Sequence, residues 1–352
     1  MIRIARRPLA AASLLVVLAT AACGSGTQSS SSPGAAPSTD SAPALVVYSG
    51  RNENLVGPLL KMFTTETGIA VTPRYGDSAE LAAQLLEEGE RTPASVFLSQ
   101  DAGALGALQK AERLTVLDDA QLAKVPSKFR SATGNWVGVS GRARVLIYNT
   151  DLVKQADLPT SVLELTGPAY KGKVGFAPTN ASFKAFVTGL RITAGEAKAK
   201  QFLTAFKAND PKAYDKNGLI VDAVNKGEIP FGLVNHYYLY EKAAEAGGLE
   251  KFKARNHFFS AKDPGALVNV AGVGVLAGNA DARSQAFVDF LLGATAQNYF
   301  ASTTYEYPLI PGVPIAAPGI PALDPIQGPD VDLSQLDSLD ATLAMLDQVG
   351  LT

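Results

Sequence analysis

Short apolar runs of strand length alternate with amphipathic stretches of helix length through the first part of this chain. The apolar runs lie at 44–49, 69–72 and 94–98. After the first run, Leu55, Leu59 and Phe63 recur at helical spacing, and a further helical pattern at 102–110 follows the third run. A strand–helix–strand–helix order predicts a parallel sheet with right-handed crossovers, and hence an α/β fold.

The same alternation returns later in the chain. Further strands are predicted at 145–148, 174–177, 229–234 and 268–276. Further helices are predicted at 183–193, 196–206, 219–224, 281–292, 295–301 and 339–349. The stretch 308–329 is rich in proline and is expected to be extended. With 352 residues in all, the chain is long enough for two lobes of ordinary domain size.

Two adjacent tyrosines, Tyr237 and Tyr238, directly follow the apolar run 229–234 and a polar pair. Helix-forming residues continue to about 246, so the two phenols should stand at the carboxyl end of a strand. Open α/β sheets place their ligands at that edge. Adjacent phenols in a cleft indicate a cation strong enough to displace their protons, and Fe(III) is the candidate that this chemistry favours.

The N-terminus has the pattern of an export signal. Arginines at positions 3, 6 and 7 precede an apolar stretch at 9–19 that is short for a membrane span. The sequence Leu18-Ala19-Thr20-Ala21-Ala22-Cys23 resembles a bacterial lipobox and contains the only cysteine of the chain. We therefore predict a lipoprotein signal peptide at 1–22 with lipidation at Cys23. The alternative is an ordinary signal peptide with an incidental cysteine.

Residues 23–43 are dominated by Gly, Ser, Thr, Pro and Ala, which is typical of a flexible tether. We expect a globular part anchored by lipid to the outer face of the cytoplasmic membrane. The chain has 31 basic and 33 acidic residues, and loss of the three leader arginines would leave a net charge of −5. This charge argues against a nucleic-acid partner. The single cysteine excludes an intramolecular disulfide and a zinc site built on cysteines.

A series of short motifs extends from the first predicted strand almost to the proline-rich stretch. They are Val47-Tyr48-Ser49-Gly50-Arg51-Asn52-Glu53, Glu66-Thr67-Gly68-Ile69, Leu86-Glu87-Glu88-Gly89, Thr92-Pro93-Ala94-Ser95-Val96-Phe97, Ser140-Gly141-Arg142-Ala143-Arg144-Val145, Tyr170-Lys171-Gly172-Lys173-Val174-Gly175, Asn235-His236-Tyr237-Tyr238, Asp263-Pro264-Gly265-Ala266-Leu267-Val268 and Glu306-Tyr307-Pro308-Leu309. In this order and spacing the chain resembles the ferric-ion-binding proteins of ABC importers, which have the type 2 periplasmic-binding-protein fold.

The resemblance implies two lobes that close over a ligand by hinge motion. Each lobe would be a mixed, mostly parallel sheet flanked by helices, joined to the other by a hinge of two strands near 140–142 and 263–268. One lobe would combine 44–142 with 268–318. The other would combine 143–267 with 319–352.

By the same resemblance, Tyr237 and Tyr238 bind Fe(III) as phenolates. The alternative for the pair is an aromatic cluster packed on the sheet. Tyr240 is expected in the core or at the rim, and Tyr75 and Tyr148 are weaker candidate ligands.

Four further positions concern the rest of the metal shell. Asn52 and Gln100 stand where well-known members of the family have His and Glu, and neither amide supplies charge to a trivalent ion. Glu53 and Asp101 are acidic neighbours that are candidates to substitute, or are solvated surface acids.

Family members that lack the His and Glu complete the iron shell with an exogenous anion or water. A loop between a strand and a helix at 178–182 is suited to hold an anion at the helix N-terminus. The candidate anion-binding residues are Asn180, Ala181, Ser182, Asn217 and Asn235, with Arg142 as a further candidate. Carbonate, phosphate or citrate would serve, and no organic cofactor is expected.

The resemblance predicts a monomeric receptor that delivers a ferric ion or ferric chelate to an ABC permease and its ATPase. His236 and His257 are not expected to bind metal. The alternative function is a receptor of the same fold for an organic anion such as a phosphonate or carboxylate, with neutral tyrosines as hydrogen-bond donors. An enzyme is not expected, because the sequence contains no G-x-S-x-G, P-loop or H-E-x-x-H motif.

Overall fold

The computed structural model describes residues 43–260, 262–315, 317–323 and 328–352. The predicted signal peptide, Cys23 and nearly all of the predicted tether lie outside the described residues. None of the helices in those ranges is both long and apolar enough to span a bilayer.

The strands are β1 Leu45–Ser49, β2 Val71–Tyr75, β3 Val96–Ser99, β4 Val137–Asn149, β5 Val174–Phe176, β6 Lys212–Ala213, β7 Phe231–Asn235, β8 Ala254–His257, β9 Val268–Val275 and β10 Tyr307–Pro308. The helices are α1 Glu53–Thr67, α2 Ser78–Glu88, α3 Ala102–Lys110, α4 Asp119–Leu122, α5 Ala181–Ala194, α6 Glu196–Ala208, α7 Asn217–Lys226, α8 Tyr237–Glu245, α9 Ala282–Leu291, α10 Ala294–Ser302 and α11 Leu339–Val349.

The predicted parallel arrangement of the first three strands is confirmed. Strand β1 lies between β2 and β3 and pairs with both in parallel. The second strand begins two residues later than predicted, because Gly68 adopts a left-handed conformation at the end of α1 and pairing with β1 starts at Val71. Strand β2 therefore ends at Tyr75, which lies at the edge of a cleft.

One long strand, β4, joins the two halves of the sheet, whose order is β2-β1-β3-β9-β4-β7-β5-β6. Residues 137–143 pair with β9, and residues 144–148 pair with β7, both antiparallel. Strands β10 and β8 also pair with β4, near its start and its end respectively. Strand β3 also pairs with β9 in antiparallel. In the second half β5 lies between β6 and β7 and pairs with both in parallel.

Separate apolar cores form on the two sides of this junction. The first surrounds β1, β3 and β9 and contains Trp136, Phe63 and Phe287. In the second half of β4, Leu146 enters one core and Val145 enters another. This alternation is the two-residue period of a strand that is buried on both faces.

The C-terminal segment touches both sides. Leu333 and Leu336 belong to the first core, whereas Leu346 of α11 belongs to a core of the second side. The segment lies against Gly103 and Gly106 of α3, where a Cβ would collide with backbone carbonyl oxygens of the segment. The assignment of 319–352 to a single lobe stays a prediction.

Candidate metal centre

The junction between β7 and α8 holds the tyrosine pair at the predicted place. Strand β7 ends at Asn235 and α8 begins at Tyr237, with His236 fully buried between them. The Ala143 backbone N–H donates to His236 Nδ1 over 3.1 Å, so the neutral ring donates from Nε2 to the Tyr305 carbonyl oxygen over 2.9 Å. Burial lowers the pKa of His236 to about 4. This histidine therefore anchors the turn and is not free to bind metal.

The two phenol rings of the pair are stacked. Their centroids lie 4.2 Å apart with 28° between the ring planes. Tyr237 is 2% exposed, and Tyr238 is partly buried. Burial first, and then the nearby Tyr238, raise the pKa of Tyr237 well above its usual value, while Arg142 opposes the shift. Tyr237 is therefore protonated in the ligand-free protein, and only a strong local positive charge would ionise it.

The pair faces a wide, open cleft with more room than a bare ion requires. Tyr75, Asn52, Glu53 and Gln100 also line this cleft. The structure thus brings the predicted loop residues of the first half of the chain together with the tyrosines. Tyr148 and Tyr240 are buried in the cores instead.

The other candidate ligands differ in their hydrogen bonds and in their exposure. The Asn52 side chain caps α1 by accepting from the Asn54 N–H over 2.9 Å. The Asp101 carboxylate caps α3, and it lines a neighbouring cavity and not the cleft. Glu53 is exposed at the start of α1. Across the described ranges, no three His, Cys, Asp or Glu side chains are grouped as a metal site, so metal binding here would depend on the tyrosines.

A much smaller and tighter cavity adjoins the cleft at Gln100. The predicted anion-binding residues Ala181, Ser182, Asn235 and Arg142 line it. A guanidinium nitrogen of Arg142 donates to the Gln100 carbonyl oxygen. The lining of this cavity is thus polar on several sides and carries two arginines together with the carboxylate of Asp101.

Asn180 and Asn217, the other two predicted anion-binding residues, form the support of this cavity. The Asn180 side chain caps α5 by accepting from the Ser182 N–H over 3.0 Å. The Asn217 amide donates to Asn180 Oδ1 over 3.1 Å and to Ser182 Oγ over 3.0 Å. These bonds fix the position of the Ser182 hydroxyl.

Sequence reasoning missed Arg144, the most unusual charge of the cavity. Its side chain is 2% exposed, and Nη1 donates to Ser182 Oγ over 3.1 Å. Its Nε and Nη2 have no hydrogen-bond partner within the described residues. Burial lowers the pKa of Arg144 to about 9, and the nearby Tyr238 opposes that shift. Arg142 and Arg144 are two residues apart in a strand, so their shared face was a usable signal.

A second buried arginine lies behind the tyrosines and was also missed as a site feature. Arg51 donates to Glu306 over 2.8 Å, and both side chains are almost fully buried. Ser140 donates to the other carboxylate oxygen of Glu306. The charges of Arg51 and Arg142, with the Ser140 hydrogen bond, hold the pKa of Glu306 below its usual range despite burial. This pair places a fixed positive group near both Tyr237 and Tyr238.

Comparisons with known proteins identify the family of the chain. The sequence profile of the bacterial extracellular solute-binding proteins matches residues 91–333. The Fe(3+)-binding periplasmic protein of Serratia marcescens is 35% identical over 297 residues, covering 84% of this chain and 87% of that protein.

Solved structures of similar shape include iron-bound HitA from Pseudomonas aeruginosa, with a TM-score of 0.80 and 33% identity over 88% of this chain and 100% of that one. The Trichodesmium protein IdiA (FutA), in complex with iron and citrate ligands, has a TM-score of 0.74 and 28% identity over the same shares of the two chains.

The predicted fold class is confirmed, since these neighbours are two-lobed binding proteins with mixed α/β sheets. The prediction that the chain is not an enzyme is confirmed as well, because its relatives bind solutes. The chain belongs to the bacterial extracellular solute-binding proteins, among relatives that bind ferric iron.

Proposed function

We propose that this protein captures Fe(III) outside the cytoplasm, with Tyr237 and Tyr238 as phenolate ligands, and delivers it to an ABC permease. The observation that carries the proposal is the stacked, largely buried phenol pair at the wall of a wide cleft. Relatives that match most of this chain are named for ferric iron binding. A trivalent ion would supply the positive charge that the raised pKa of Tyr237 demands.

We propose further that an anion binds together with the iron, in the cavity around Arg144. Two guanidinium nitrogens of this buried cation lack partners in the described part of the chain, and an anionic oxygen would satisfy them. Asn52 and Gln100 supply no charge, so a bound anion would also help to neutralise the metal. The open cleft has room for citrate, which accompanies iron in the Trichodesmium structure. Carbonate and phosphate are smaller candidates for the same position.

Iron would favour the closed form of the protein if it contacts both halves of the cleft. Tyr237 and Tyr238 come from the second half of the sheet, whereas Asn52, Tyr75 and Gln100 come from the first half. A ligand that bridges them binds the closed arrangement better than the open one. The lobes proposed are 44–142 with 268–318, and 143–267 with 319–352, acting as a monomer.

The ends of the chain complete this proposal. Residues 1–22 would direct export, Cys23 would carry lipid, and residues 24–43 would tether the receptor at the outer face of the cytoplasmic membrane. The permease and its ATPase are the partners that a receptor of an ABC importer requires.

The organic-anion alternative is less well supported. It uses Asn180, Ser182 and Asn235 but gives no reason for two stacked phenols in the cleft. The curated relatives that match this chain are also named for iron binding.

The experiment that separates the two functions is a titration of the signal-free protein with ferric citrate and with citrate alone. We expect one tightly retained iron per chain and a larger rise in Tm with ferric citrate than with citrate alone. An equal rise in Tm with citrate alone, and no retained iron after desalting, would support the organic-anion receptor. A phosphonate and a simple carboxylate would serve as further ligands in that case.

A further inference from the structure

Helix α8 presents a third acidic oxygen group beside the tyrosines. Glu241 lies four residues after Tyr237 and three after Tyr238, so on the helix surface its side chain neighbours both. Glu241 lines the same cleft as the two phenols. One helix therefore brings two phenols and a carboxylate to one wall.

The Glu241 carboxylate is unusual because nothing in the described structure compensates one of its oxygens. Oε1 is buried and has no hydrogen-bond partner within those residue ranges. Burial, and then the nearby Glu306, raise the pKa of Glu241 to about 7, and Arg51 opposes that shift. The adjacent Lys242 pairs instead with Asp222 and Glu245. A buried acceptor without a partner is costly, which points to a ligand that the free protein lacks.

The other acids that line the cleft are engaged or solvated. Asp77 caps α2 by accepting from the Ala79 N–H over 2.8 Å. Glu245 is exposed and paired with Lys242, and Glu53 is exposed. Glu241 is thus the cleft carboxylate with a buried oxygen available for a cation.

Charge balance gives this oxygen a role. Two phenolates supply two negative charges to a trivalent ion, and hard cations prefer further anionic oxygen ligands. The amides of Asn52 and Gln100 cannot supply the third charge. The Glu241 carboxylate, on the same helix as the phenols and lining the same cleft, can do so.

We propose that Glu241 is a third protein ligand of the bound Fe(III), so that α8 alone provides two phenolates and one carboxylate. This assignment rests on the proposed function. With it, the second half of the cleft would supply three anionic oxygen ligands from one helix. An anion near Arg144, and residues of the first half, would then complete the shell.

The test compares Glu241→Gln with Glu245→Gln, a matched control one turn further along the same helix and in the same cleft. Iron affinity is measured for each by competition with nitrilotriacetate at fixed citrate. We expect Glu241→Gln to weaken iron binding by about 100-fold, because even outer-shell changes commonly cost tenfold or more. Glu245→Gln should stay within about twofold of the wild type. An effect of Glu241→Gln no larger than that of Glu245→Gln overturns the assignment.

A second readout separates ligation from a structural role. Since Glu241→Gln removes a buried charge at nearly constant shape, the melting temperature of the iron-free variant should not fall. Its iron-loaded form should keep the phenolate colour, with a shifted absorption maximum and a smaller iron-induced rise in Tm. If the Tm of the iron-free variant falls far enough to explain its weaker iron binding, the effect is structural and contradicts ligation by Glu241. If the wild type itself fails to bind iron, the proposed function has failed, which is a separate result.

Discussion

Replacing Arg144 by methionine should make the ligand-free protein more stable. Burial lowers the pKa of this guanidinium from its ordinary value to about 9, and each pKa unit corresponds to about 1.36 kcal/mol, so the charge costs the fold roughly 5 kcal/mol. Methionine keeps most of the volume beside Phe183 and Phe186 but loses the bond to Ser182. We expect a net gain of about 1–4 kcal/mol, which is typical when buried charges are replaced by apolar groups.

Thermal unfolding of both proteins in an anion-free buffer checks this prediction. For a domain of this size the gain corresponds to a rise in Tm of about 2–8 °C. Below pH 9 the folded and unfolded states both keep Arg144 charged, so the difference should be constant there and shrink above pH 9. Citrate or phosphate should raise the Tm of the wild type and not that of the variant. A less stable variant in anion-free buffer would refute the view that Arg144 is an uncompensated charge awaiting an anion.

Two further substitutions test the packing around the cleft. Glu306→Gln leaves the buried charge of Arg51 unpaired, so chemical denaturation at pH 7 should show a loss of about 3–5 kcal/mol in the free energy of unfolding. Since the pKa of Glu306 is lowered in the folded protein, this loss should diminish as the pH falls below 4.5 and the wild-type carboxylate protonates. A loss that is independent of pH would contradict the ion pair. Gly106→Ala should destabilise the protein by about 1–3 kcal/mol, because the new methyl group collides with the Ser334 carbonyl oxygen. The control, Gly57→Ala, has room in α1 and should stabilise the protein by up to about 1 kcal/mol. Equal effects of the two substitutions would show that the C-terminal segment does not lie tightly on α3.

Local patterns predicted the position of the tyrosine pair well. The apolar run before Asn235 and the helix formers after His236 are sufficient to place both phenols at a strand end, and the structure has β7 and α8 there. The start of β2 was less predictable, since it depends on a left-handed Gly68 and on pairing with β1.

The pairing and burial of the charges around the tyrosines were not predictable from local sequence. Arg51 and Glu306 are 255 positions apart, so their pairing depends on the whole topology. Arg144 looks like an ordinary polar residue of a strand, and only the fold shows that it is buried with two nitrogens lacking a partner among the described residues. The proposed role of Glu241 likewise depends on tertiary contacts, because Lys242 pairs with Asp222 and Glu245. Burial and the absence of a partner are tertiary properties, and a helical or strand period does not contain them.

The visible absorption spectrum of the ferric-loaded protein tests the central claim most directly. Phenolate-to-iron charge transfer should give the wild type a coloured band in the visible region. Tyr237→Phe and Tyr238→Phe should each weaken the band, and the double variant should abolish it, while Tyr240→Phe, in the core beside the site, should leave it unchanged. A wild type that retains iron without colour, or a double variant with the wild-type band, would contradict coordination by these two tyrosines.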